Sequence, residues 1–75
     1  MQEPAVEVFR TTVVRRAATG LLRHLRTHFP SWRITFDLQD TDRILRVQTF
    51  QGSIDTARVA QLLHAHGFCC EPLPD

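Results

Sequence analysis

His64, His66, Cys69 and Cys70 fall within the seven residues of "HAHGFCC" (64–70). Thiolates and imidazoles are donors suited to Cu(I) and Zn(II), so the first chemistry this cluster suggests is soft-metal binding. Geometry weighs against it. Neighbouring residues of a strand point to opposite faces, so Cys69 and Cys70 diverge wherever the segment is extended. His64 and His66 stand about 200° apart around an ideal helix. His66 also shares a helical stripe with Val59, Leu62 and Leu63. The competing reading makes one cysteine a small buried hydrophobe and His66 a partly buried packing residue. The sequence leaves both readings open. A bridge between the cysteines is disfavoured, because neighbouring Cα atoms lie only about 3.8 Å apart, short of the usual disulfide span.

Other residues invite binding rather than catalysis. His24 and His28 stand at i and i+4 but lack an acidic third ligand, and beside Leu21 and Leu25 they read equally well as a boundary pair. Arg15, Arg16, Arg23 and Arg26 occupy one sector away from the Leu21/Leu25 stripe, where they point to solvent and could dock an acidic partner or phosphates. No aromatics interleave with them, and the net charge is only +1, so another protein is favoured over nucleic acid. There is no Gly-rich phosphate loop and no paired-carboxylate motif, and no motif sets a base beside either cysteine, so the chain is not expected to be an enzyme.

The elements that must position these residues are legible from periodicity. Val14, Ala17, Ala18, Leu21, Leu22, Leu25 and Phe29 follow the spacing of one helix face, predicting a helix over 14–29 with Thr12 as N-cap and Pro30 as stop. The period then changes to two. Trp32, Ile34, Phe36 and Leu38 alternate with Arg33, Thr35, Asp37 and Gln39, a strand with one face buried and the other open. "QDTD" (39–42) is a polar turn, and "RILRVQTF" (43–50) reads as the returning strand of a hairpin. Ser53 is placed to cap a second helix over 54–66, which Gly67 would end as a left-handed C′ residue. "AVEVFRT" (5–11) and "CCEPL" (69–73) supply a first and a last strand, with Pro72 and Pro74 confining the last to an edge.

Two right-handed crossovers in the order β-α-β-β-α-β predict an α+β, ferredoxin-like domain over 1–75, with an antiparallel sheet in the order 4-1-3-2 and both helices on one face. That arrangement gathers "RTTVVRR" (10–16), "QDTD" and "HAHGFCC" at one end. Seventy-five residues are expected to form a single domain. No apolar run is long enough to span a bilayer. "MQEPAVEVFR" has neither a basic leader nor an apolar core, so the cytoplasm, with reduced thiols, is the expected compartment.

The element order, the strand running straight into a helix at "VFRTTVV" (8–14), the hairpin "DLQDTDRILRV" (37–47) and the close "VAQLLHAHGF" (59–68) carry a resemblance. Together they resemble the heavy-metal-associated domain of copper chaperones and metal-transporting ATPases, over nearly the whole chain. Those domains bear a Cys-x-x-Cys pair in the first strand–helix loop, where this chain has "RTTVVRR". No family ligand carries over, whereas Gly67-Phe68 matches the pair that often closes the last helix. In this the chain looks more like the short bacterial proteins of this fold that lack the ligand pair. The resemblance implies that scaffold rather than an activity. Taken with the residues, the expectation is a non-catalytic binding or assembly module without a cofactor, or alternatively a metal handler using Cys69, Cys70, His64 and His66.

Overall fold

The computed structural model describes residues 4–74, so residues 1–3 and 75 of the expected domain lie outside the described residues. The elements are β1 (Ala5–Thr11), α1 (Arg15–His28), β2 (Arg33–Asp37), β3 (Ile44–Thr49), α2 (Thr56–Ala65) and β4 (Cys70–Pro72). The four strands form one antiparallel sheet, β2-β3-β1-β4 from one edge and β4-β1-β3-β2 from the other. β1 therefore lies between β3 and β4.

Register sorts the side chains into two faces. Phe9 of β1 lies opposite Leu45 of β3, and Ile34 of β2 lies opposite Val47 of β3; all four are buried. The helices cover this face. α1 contributes Ala18, Leu21 and Leu25, and α2 contributes Val59 and Leu63, to a single core cluster that includes Cys70. On the other face Val6, Arg10, Arg33, Thr35 and Arg46 are exposed. The alternation of types along each strand thus produces a two-layer molecule with one covered and one open sheet face.

Helix ends depart from expectation. α1 begins at Arg15, and its N-cap, Val14, makes no side-chain capping bond. Thr12 does not cap the helix because its hydroxyl accepts from the Cys69 amide at 2.9 Å. α2 begins at Thr56 rather than 54, capped by Asp55, whose carboxylate accepts from the Arg58 amide at 3.1 Å; Ser53 is not the cap. Asp55 stands three residues before that amide, the reach a capping side chain needs. The far end of α2 closes as expected at Gly67, with φ at +87°. There the Phe68 amide donates to Leu63 O and the Gly67 amide to His64 O, the paired bonds of a Schellman close.

Trp32 is half-buried rather than an inward strand residue. It precedes β2 and stacks on Phe29, with ring centroids 4.1 Å apart and planes 6° from parallel. Arg58 of α2 lies over Phe29, 5.8 Å from its centroid, so a cation and two aromatic rings join α2 to the α1/β2 connection.

Candidate functional site

The β1/α1 connection, the β2/β3 turn and the α2/β4 junction meet at one end of the molecule, held by hydrogen bonds. The Thr11 amide donates to Asp42 O at 3.0 Å. The buried Thr11 hydroxyl donates to Arg43 O at 2.7 Å and accepts from the Val13 amide at 3.2 Å. Arg43 returns the link through its guanidinium, Nη1 donating to Val13 O at 3.2 Å. The α2/β4 junction is tied in by the Thr12 amide donating to Cys69 O and the Cys69 amide donating to the Thr12 hydroxyl. At the rim, Arg10 Nε lies 3.4 Å from Asp42 Oδ1.

This network explains an unusual backbone. Arg43 has φ at +48°, a conformation that side-chain-bearing residues seldom adopt. Its amide donates to Asp40 O, its carbonyl accepts from Thr11, and the Asp42 amide donates to the Asp40 carboxylate at 2.9 Å. The turn is fixed from both sides, which offsets the local strain. "TT" (11–12), at the end of β1 and the start of its loop, and "DTDR" in the hairpin therefore act as complementary halves of one joint.

The four metal candidates divide. Cys69 is exposed at the junction, whereas Cys70, the first residue of β4, is 6% exposed and belongs to the core. Burial, reinforced by neighbouring Glu71, pushes the Cys70 thiol up from 9.0 to about 12 and keeps it protonated. His64 is exposed. His66 is exposed too, not a packing residue: α2 ends at Ala65, so His66 caps the helix and leaves the Val59/Leu63 stripe. Its imidazole instead meets that of His24, with centroids 4.8 Å apart and rings tilted by 46°. Among the described residues, no group of three or more His, Cys, Asp or Glu side chains is placed to share an ion. His28 lies beside Phe29, with ring centroids 6.3 Å apart.

The basic candidates divide as well. Arg15, Arg16 and Arg23 are exposed and make no ion pair with the described residues. Arg26 does not simply point to solvent, since its Nη2 donates to Ile34 O of β2 at 3.3 Å. The α1 stripe discloses neither Arg46 of β3 nor His24 as a partner of His66, which register and helix packing place. Alternation within 44–49 was the available signal for Arg46, since Leu45, Val47 and Thr49 are buried and leave it on the other face.

Among the described residues, no helix is long and apolar enough to cross a membrane. Compared with protein-family models, curated proteins and solved structures, the chain gives no match.

Proposed function

We propose that this chain is a small, non-catalytic binding or assembly module of ferredoxin-like architecture. It resembles a heavy-metal-associated domain and engages another protein. The order of elements and the β4-β1-β3-β2 sheet support the architecture. One observation carries the functional reading. Where β1 passes into the β1/α1 loop, in which such domains hold their ligand pair, Thr11 at the strand end and Thr12 in the loop have hydroxyls committed to Arg43, Val13 and Cys69. A loop bound in this way stiffens the end of the scaffold, and the divergence of Cys69 from Cys70 works against chelation by the pair.

A metal titration tests the reading. Reduced protein titrated with Zn(II) or Cu(I) against a competing chelator is expected to show only weak uptake, unchanged by Cys69→Ser with Cys70→Ser. Stoichiometric uptake that survives the competitor and disappears in the double variant would overturn it. That result would favour a metal handler using Cys69 or Cys70 with His64, whose binding energy would add to folding stability.

A further inference from the structure

The chain's nine basic residues are all arginines. Among the described residues, three meet an oxygen acceptor, Arg10 with Asp42, Arg26 with Ile34 O and Arg43 with Val13 O, and Arg58 lies over the Phe29 ring. On the open sheet face, Arg33 and Arg46 have no acidic partner among the described residues. They stand on adjacent strands. Register sets Arg33 opposite Gln48 and Thr35 opposite Arg46, so four polar side chains form a square with the guanidiniums on one diagonal. Together they line a cavity of about 200 Å³. A groove bordered by Arg33 continues around the end of the sheet past Trp32 to Phe50, which is 59% exposed. No carboxylate lines either concavity. The nearest acid on β2, Asp37, turns its carboxylate back to accept from the Gln39 amide.

We propose that this surface docks an extended acidic segment of another protein, with carboxylates on Arg33 and Arg46 and an apolar side chain against Trp32 and Phe50. This deepens the binding-module reading and rests on it. Spacing supports an extended occupant: diagonal neighbours on adjacent strands stand about 7–8 Å apart, and alternate side chains of an extended chain about 6.8 Å apart. Guanidinium forks match carboxylates bidentately, and Thr35 and Gln48 supply further hydrogen-bonding groups beside them. An aromatic residue beside unpaired arginines is a composition typical of the residues that dominate binding energy. A single strand of nucleic acid fits less well. It would need successive bases to stack on several exposed rings, whereas among the described residues Phe50 is the one exposed ring beside this face and Trp32 already stacks on Phe29.

The test uses fluorescence anisotropy with a labelled glutamate-rich peptide carrying one central phenylalanine, its glutamine counterpart, and an oligothymidine of similar length. The glutamate peptide is expected to bind, more weakly as salt is raised, and the glutamine peptide to lose most of that affinity. Arg33→Glu with Arg46→Glu should weaken binding by roughly tenfold or more, and Phe50→Ser by a few-fold. Arg15→Glu with Arg23→Glu, on the helix, should change it by less than about twofold. All these residues are exposed, so unchanged thermal melts would confirm that the variants fold; Arg33→Gln with Arg46→Gln, expected to weaken binding in the same direction, serves if the reversal does not. Equal binding of both peptides, indifference to the sheet-face variants, or preference for the oligothymidine would overturn the proposal. If metal uptake stays weak while the peptide fails to bind, only this surface is lost; stoichiometric uptake through the cysteines would remove the module reading itself.

Discussion

Cys69 and Cys70 are neighbours in the chain, but the sheet edge separates their environments. An alkylating reagent needs a thiolate that it can reach. Iodoacetamide applied to the native reduced protein should therefore modify Cys69 alone, with Cys70 following only in denaturant, as intact mass and peptide mapping would record. Rapid double modification of the native state would place Cys70 at the surface. The same burial predicts a pH dependence. The folded state holds the Cys70 proton up to about 12, whereas the unfolded chain releases it near 9.0. The contribution is fully present below pH 9 and is lost as pH rises from there towards 12. The chain has neither tyrosine nor lysine to titrate in that window. Urea midpoints should thus fall across it, and Cys70→Ala should remove most of the fall while lowering stability at neutral pH through the lost packing.

For the helices and strands, periodicity disclosed which faces are buried, and chemistry between elements decided where they end. The stripes through Leu21/Leu25 and Val59/Leu63 specify which side of each helix meets the sheet, because that information lies within one element. The starts were less legible. Thr12 and Ser53 are both good caps by type, but one hydroxyl is claimed by a residue 57 positions away and the other is bypassed for Asp55. Asp55→Ala should lower stability by about 1 kcal/mol, within the range for lost N-caps, while Ser53→Ala should leave it nearly unchanged. Chemical denaturation distinguishes them, and the reverse ranking would return the helix start to Ser53.

Considered as a whole, the molecule depends on Thr11 more than its small side chain suggests. Thr11→Val keeps the shape but leaves Arg43 O and the Val13 amide without the hydroxyl, at a cost of about 1–3 kcal/mol, whereas the exposed Thr12 tolerates the change better. Equal melting temperatures for the two valine variants would show that the joint is dispensable. The meeting of the three connections was legible from topology; the pairing of His24 with His66 was not, because it depends on how far a ten-residue α2 extends beside α1. The arginine on Ile34 bears on a hazard common to open sheets. β2 and β4 end the sheet, and strand edges are templates along which copies of a protein can polymerise. Arg26 occupies one acceptor of β2. On the other side Leu73 donates inward to Val8 O, so by alternation Pro72 turns towards the free edge a ring nitrogen that has no hydrogen to give. Each margin thus offers an incoming strand one backbone group fewer, through residues that a strand-by-strand reading treats as incidental.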